Sequence, residues 1–202
     1  MCEYARAIAT REGLSDGDTL ALMYSALLHD TGKADTSRVE GGHITSHGHE
    51  QAGVGRAQSF LDRLMDNGEK GTALLNSVSP LVGNHLSHLN ISNARSVRRL
   101  AKRIEPASIE MLSWLIEADQ SGRPPLPGGM PQSAKDMVRI SEESGVLTHA
   151  PQAFLMGRHL INLGMTPGRE MGELIRASYE AQLDGDITDT TSALTWAKER
   201  LS

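Results

Sequence analysis

One apolar run, Leu20–Leu28, constrains the fold most, because it leads directly into the doublet His29-Asp30. Apolar residues in this run recur at helical spacing, and Asp30 continues their row. The members of that row are Met23, Ala26 and Leu27. The spacing predicts a helix that ends at the doublet and turns the Asp30 carboxylate towards the protein interior.

An acid that is buried beside an imidazole is costly unless a cation neutralises it. Adjacent nitrogen and oxygen donors suit Mn, Ni, Fe, Mg or Zn, so His29 and Asp30 predict ligands of a divalent metal. Gly32 is expected to turn the chain off the helix end, and Lys33 places an ammonium where a phosphate would bind. The same residues also fit a plainer structure, a helix C-terminus at which His29 interacts with the helix dipole.

Composition favours helices and sets limits on the class of protein. The 202 residues are 39% hydrophobic but only 3% aromatic, and we find no convincing alternating strand pattern. A net charge of −5 argues against broad, non-specific binding of nucleic acid. One cysteine fits a reducing compartment, and no apolar run reaches 18 residues. We therefore predict an all-α, cytoplasmic protein without a membrane span.

The chain is predicted to have two helical regions. Residues 121–131 hold four prolines and three glycines, which is typical of a boundary. We therefore predict a first domain over 1–123, a Pro/Gly linker over 124–131 and a C-terminal helical region over 132–202. In the first domain, residues 31–47 are predicted to be a polar loop.

Further nitrogen and oxygen donors occur at His49, His85 and Asp119, each on a separate predicted helix. Asp119 continues an apolar helical row and is expected to face the core; that row is Leu112, Leu115 and Ile116. Helical bundles build metal sites from one donor per helix, and Asp30 would bridge if two ions bind. Singly, each histidine also fits a satisfied core or surface residue, and Asp119 fits a cap of the turn at Gly122.

A metal centre of this type predicts hydrolysis of a phosphate ester, with Asp30 and Lys33 as catalytic residues. Candidate contacts to a substrate phosphate or to RNA are Lys33, Arg98, Arg99 and Arg123. The basic segment Arg95–Arg103 also fits an ordinary solvated helix face.

Several of these segments together resemble the HD superfamily of metal-dependent phosphohydrolases. They are LLHDTGK at 27–33, GHE at 48–50 with Gly53, His85, and ADQSGR at 118–123. The segments SVRRLA at 96–101, GRHLI at 157–161, LGMTPG at 163–168 and AQLDG at 181–185 are similar to a narrower group. That group is the HD and C-terminal region of bacterial tRNA nucleotidyltransferases and poly(A) polymerase-like proteins, and the resemblance covers nearly the whole chain.

The resemblance implies an all-helical HD-domain bundle with additional C-terminal helices. It implies one metal set of His29, Asp30 and Asp119, with His49 and His85 as the histidines that some members use for a second ion. The activities that it implies include phosphatase and 2′,3′-cyclic phosphodiesterase chemistry.

The chain departs from the family pattern in two ways. The family motif begins with a histidine one helix before the doublet, whereas residues 1–28 contain no histidine. We therefore expect either weakened metal affinity or a protein that starts earlier. The chain also lacks the Gly-Gly phosphate loop and paired aspartates of a nucleotidyltransferase head, so we do not expect it to add nucleotides by itself.

Two functions of different classes follow from the sequence. The first is a metal-dependent phosphohydrolase that acts on a nucleotide or a 2′,3′-cyclic phosphodiester. The alternative is a non-catalytic tRNA-binding body that lacks its transferase head, with the face Arg95–Arg103 on the tRNA backbone. A plain helical interaction domain leaves the cluster of acids and imidazoles unexplained.

Overall fold

A computed structural model describes residues 1–65 and 69–201, and α-helices make up most of its regular structure. The chain divides into two compact units, Met1–His149 and Ala150–Ser202. The all-α prediction is confirmed, and the one described sheet has two strands of three residues each. No helix in the described part of the chain is long and apolar enough to cross a membrane.

In its described residues, 1–65 and 69–149, the first unit contains eight α-helices, one 3-10 helix and the two strands. Its helices are α1 Cys2–Glu12, α2 Asp16–Leu28, α3 Lys33–Thr36, α4 His49–Leu64, α5 Glu69–Asn84, α6 Ala94–Arg103, α7 Ile109–Ser121 and α8 Gln132–Glu143. The 3-10 helix is Ser87–Asn90, and the strands are β1 Arg38–Glu40 and β2 His43–Thr45.

Helix α2 lies at the centre of the first unit, where it packs against α1, α4, α5 and α7. Its buried face joins α4 and α5 in one apolar cluster, which includes Leu28, Leu61 and Val82. Ser15 caps the helix by accepting a hydrogen bond from the Asp18 backbone N–H. The end of α2 is therefore held among four helices, and this is where the sequence predicts the metal donors.

The region predicted to be a polar loop contains short regular elements. Strands β1 and β2 pair antiparallel, with Val39 opposite Ile44. The two residues between them, Gly41 and Gly42, have φ angles of 58° and 82°. Positive φ at both positions is the requirement of a two-residue type I′ hairpin turn, which glycine adopts without a steric penalty.

Residues 124–131, the predicted linker, lie inside the first unit. The Ser121 hydroxyl accepts a hydrogen bond from the Gly129 backbone N–H, so this segment is tied to the end of α7. Helix α8 also belongs to the first unit, because Ala134 and Met137 are fully buried where α8 packs against α6 and α7. The two compact units divide between His149 and Ala150, whereas the boundary predicted from proline and glycine content lies before α8.

The second unit contains α9 Gly157–Asn162, α10 Arg169–Asp184 and α11 Thr190–Leu201. They enclose an apolar cluster that includes Leu160 and Ala193. Gln182 is buried in α10, where it accepts a hydrogen bond from the Phe154 N–H and donates one to the Gln152 carbonyl. These bonds attach the segment before α9 to the middle of the unit.

Candidate metal centre

Three histidines from three different helix ends meet in the first unit. His29 follows α2, His49 begins α4, and His85 follows α5. All three are buried. The ring of His85 lies 5.1 Å, centroid to centroid, from each of the other two rings. A cluster of buried imidazoles requires either hydrogen-bond partners or a cation for each ring nitrogen.

The three rings have the same kind of partner at Nδ1. His29 Nδ1 donates to the Ala26 carbonyl at 3.0 Å, and His49 and His85 donate to the Ser46 and Val82 carbonyls, each at 2.8 Å. A carbonyl oxygen only accepts hydrogen bonds, so the proton of each neutral ring is held on Nδ1. In the neutral form of each ring, Nε2 then presents a lone pair, as it does in a metal-ligating histidine.

Two of these lone pairs converge on one oxygen of Asp30. His49 Nε2 lies 3.2 Å from His85 Nε2 and 3.2 Å from Asp30 Oδ1, and His85 Nε2 lies 3.9 Å from the same oxygen. Ligand atoms about 2.1 Å from one metal ion are separated by roughly 3.0–3.4 Å. The three donors therefore form a group with the spacing of a metal site.

The group also lacks internal compensation. Among the described residues, Asp30 Oδ1 has no hydrogen-bond partner, although this atom is buried. Two neutral imidazoles that face each other with bare Nε2 atoms repel. A divalent cation removes both costs, so the residues fit a bound metal.

A second set of donors shares Asp30. His29 Nε2 lies 3.3 Å from Asp30 Oδ2 and 3.3 Å from Asp119 Oδ1, which are ion-pair distances without hydrogen-bond geometry. Two cations neutralise these carboxylates. Lys33 Nζ lies 2.6 Å from Asp30 Oδ2, and the Arg123 guanidinium pairs with both oxygens of Asp119.

The two donor sets differ in their protonation. Burial lowers the pKa of His29, but the carboxylates of Asp119 and Asp30 outweigh it and raise that pKa to about 9. Burial lowers the pKa of His85 to about 4, and positive charge on His29 lowers it further. Burial raises the pKa of Asp30, but His29 and Lys33 hold it well below its usual range. At neutral pH His29 is therefore a cation and His85 is a neutral donor.

Asp119 is also held as an anion. Burial raises the pKa of its carboxyl group, but the adjacent imidazole of His29 and the charge of Arg123 give a net lowering. Its side chain is 17% exposed, and the apolar row before it is buried, as the sequence predicts.

Gly32 allows the donors to approach one another. A Cβ at this position would overlap the carbonyl oxygen of His49 and lie 2.5 Å from the backbone nitrogen of Gly53. The φ angle of Gly32 is −67°, so the predicted turn off the helix end does not require a glycine there. The glycine is required because the turn after Asp30 packs directly on the backbone of α4.

The prediction that Asp30 continues a buried helical row is wrong. Helix α2 ends at Leu28, and Leu27, a member of that row, is 51% exposed. Asp30 lies in the turn that follows the helix, and its side chain is 32% exposed. The turn, and not the helical periodicity, directs the carboxylate to the histidines.

Arg98 and Arg99 lie on α6 as half-buried residues, and each already takes part in a polar or electrostatic interaction. Of the residues predicted to contact phosphate, Lys33 and Arg123 are the two that pair with the carboxylates of Asp30 and Asp119.

The sequence analysis missed the residues that fix the end of α5. Asn84 donates to the Pro80 carbonyl and accepts at 2.6 Å from Arg103 Nε, immediately before His85. An asparagine beside a candidate ligand was the available signal.

The chain is similar to known proteins over most of its length. The family model described as "HD domain" matches residues 1–118. The A-adding tRNA nucleotidyltransferase of Deinococcus radiodurans is 29% identical over 193 residues, which cover 91% of this chain and 43% of that protein. The chain thus spans less than half the length of this curated relative. No solved structure matches the chain significantly. The family match covers more than half of the sequence, and the chain belongs to the HD domain family.

Proposed function

We propose that this protein is a metal-dependent phosphohydrolase that acts on a nucleotide or a 2′,3′-cyclic phosphodiester. One observation carries the proposal: Asp30 Oδ1 and the bare Nε2 atoms of His49 and His85 converge at ligand spacing. Mixed nitrogen and oxygen donors favour a first-row divalent ion such as Mn, Fe, Ni or Zn over a purely oxygen-liganded Mg site. We also propose that the protein acts in the cytoplasm.

The residues divide the work of phosphate-ester hydrolysis among them. A divalent ion at this centre supplies an acidified water molecule and a Lewis acid for phosphate oxygens. Asp30 holds the centre through both carboxylate oxygens, since Oδ1 faces His49 and Oδ2 faces His29. Lys33 pairs with Asp30, and Arg123 pairs with Asp119. From these positions, the two side chains would place positive charge beside a substrate phosphate.

We further propose that His29, Asp30 and Asp119 hold a second ion, with Asp30 as the bridge. Because the pKa of His29 is about 9 without metal, His29 would have to lose a proton to act as a ligand. We expect release of about one proton per chain below pH 8, and affinity for the second ion that rises about tenfold per pH unit up to pH 9. Calorimetry in buffers with different ionisation enthalpies measures this number. Binding of two ions without proton release would contradict the proposed role of His29.

The proposed function is tested by metal content and turnover in matched histidine variants. We expect near-stoichiometric metal in the native chain after purification without chelator, and its loss in His85→Gln. His43→Gln is the control, because His43 is exposed on β2. Turnover of 2′,3′-cyclic nucleotides and phosphomonoesters should follow metal content. A native chain that stays metal-free after soaking in Mn²⁺ and Ni²⁺ would remove the hydrolase proposal.

A second candidate function is a non-catalytic tRNA-binding body. The tRNA nucleotidyltransferase similarity, which extends over 91% of this chain, favours it. In this case Arg98 and Arg99 on α6 are proposed to contact the RNA backbone. The candidate predicts salt-sensitive tRNA binding that is unchanged in His85→Gln, whereas the hydrolase proposal predicts turnover that this variant abolishes.

A further inference from the structure

Arg103, the last residue of α6, is held by neutral side chains. Its Nε donates a hydrogen bond to Asn84 Oδ1 at 2.6 Å, and its Nη2 donates one to Ser87 Oγ at 3.3 Å. Among the residues that the structure describes, no carboxylate pairs with Arg103, and its Nη1 donates no hydrogen bond. Two contacts fix the plane of a guanidinium, so the Nη1 N–H groups point in a defined direction and are available to a ligand.

The two partners of Arg103 are themselves held in place. Asn84 is buried, and its Nδ2 donates to the Pro80 carbonyl at 2.8 Å. The Ser87 hydroxyl donates to the Asn84 Oδ1 atom at 3.3 Å. The guanidinium is therefore oriented by side chains that already use their own donors, and this orientation exists in the free chain.

The charge of Arg103 is not balanced by its surroundings. Burial lowers the pKa of Arg103, and no carboxylate in the described part of the chain raises it. Lys102, by contrast, pairs with Glu105 at 2.6 Å. An arginine stays protonated in proteins, so Arg103 is a cation that has lost part of its hydration without gaining a counter-charge. An oxyanion on its free edge would supply that charge.

The position of Arg103 favours a phosphate that belongs to a polymer. Phosphate oxygens suit a guanidinium because two parallel N–H···O bonds can form. Arg103 is exposed, so a single small anion would bind there only weakly. Helix α6 has several basic residues and no acidic one, and a polyanion gains affinity from each cation that it meets because counterions are released.

We propose that Arg103 is a binding site for a backbone phosphate of RNA, oriented for this contact by Asn84 and Ser87. This inference rests on the tRNA-binding candidate function and identifies one contact within it. It is separate from the contacts proposed for Arg98 and Arg99, each of which already takes part in an interaction within the chain.

The salt dependence of tRNA binding tests the site in the full chain. One phosphate contact contributes about one to the slope of log affinity against log salt concentration. We expect Arg103→Gln to reduce the size of this slope by about one and to weaken binding about tenfold at about 0.1 M salt. The matched control is Arg139→Gln, because Arg139 is an exposed arginine that pairs with Glu143 on α8. This control changes the net charge equally and should keep the native slope.

Arg103→Lys separates the charge of the side chain from its orientation. An ammonium keeps the charge, but it cannot bond to both Asn84 and Ser87 and also present a planar fork to phosphate. We expect the native salt slope with about threefold weaker tRNA binding. Native affinity in this variant would overturn the orienting role of Asn84 and Ser87.

Chemical modification tests the same contact without a substitution. Phenylglyoxal reacts with exposed guanidinium groups, and mass spectrometry locates the modified residues. Bound tRNA should protect Arg103 and leave Arg139 reactive. Equal protection of Arg103 by inorganic phosphate, at the same concentration of phosphate groups, would assign the site to a free anion and overturn the RNA assignment.

The outcomes separate this inference from the candidate function on which it rests. An unchanged slope and affinity in Arg103→Gln would overturn the Arg103 site while tRNA binding itself stands. A native chain that does not bind tRNA would overturn both the tRNA-binding candidate and the Arg103 site.

Discussion

Asp30→Ala is expected to abolish metal binding and all turnover. Asp30 is the residue that both donor sets share, because Oδ1 faces His49 and His85 while Oδ2 faces His29. Loss of a residue that only orients a ligand costs about 10–100-fold in metal affinity, so loss of a shared ligand should cost more than about a hundredfold. Elemental analysis and titration with Mn²⁺ measure the effect.

Asp35→Ala is the matched control for this experiment. Asp35 lies on α3, where its carboxylate pairs with Arg56, and both side chains are about half exposed. Its removal leaves the donors untouched, and surface pairs of this kind contribute little to stability. The pKa of His29 gives an internal check, since it should fall in Asp30→Ala and stay raised in Asp35→Ala. Stoichiometric metal in Asp30→Ala would exclude the proposed centre.

Gly32→Ala is expected to lower the free energy of unfolding by about 3 kcal/mol, the upper part of the range for overpacking. The added Cβ would overlap the carbonyl oxygen of His49 and press on the Gly53 backbone nitrogen. Backbone atoms do not move aside as a side-chain end does, so the turn after Asp30 must separate from α4. The distance between Asp30 and His49 then grows, and metal affinity should fall at least about tenfold.

Gly55→Ala is the control for the effect of a methyl group at a glycine. Gly55 lies in the interior of α4, and a Cβ there meets no atom within 4 Å among the described residues. Alanine should stabilise this helix by about 0.5–1 kcal/mol. Chemical denaturation of the two variants, each with and without metal, measures the difference. Equal stabilities would show that the close approach at Gly32 does not limit the fold.

The sequence predicts Asp119 better than Asp30, for a physical reason. Asp119 lies within the long helix α7, so helical periodicity relates it to buried residues such as Leu115. Asp30 lies just beyond the end of α2, where periodicity no longer applies. Its direction depends on a turn packed against α4, which is a tertiary contact. Residue type predicts Asp30 as a ligand, whereas the turn packed against α4 sets the direction of its carboxylate.

Other features of the site could not be predicted from the sequence. The backbone carbonyls that orient the imidazoles, such as that of Ser46, depend on tertiary placement and have no residue-type signal. The hairpin did have a signal, because Gly41-Gly42 between Val39 and Ile44 is typical of a two-residue turn. The division between the two compact units lies past α8, and Met137 of this helix is fully buried within the first unit.

The hairpin has a consequence for how such a protein can diversify. Its base is closed by the hydroxyl groups of Ser37 and Ser46, 2.8 Å apart, and its tip at Gly41-Gly42 is exposed. Below the base, the Gly32 packing and the Ser46 carbonyl hold the two ends of the connection in place. Doubling the length of a loop costs only about 0.6 kcal/mol in closure entropy. The tip is thus a point at which whole peptide segments can be inserted, by evolution or by an engineer, while the chemistry beneath it is retained.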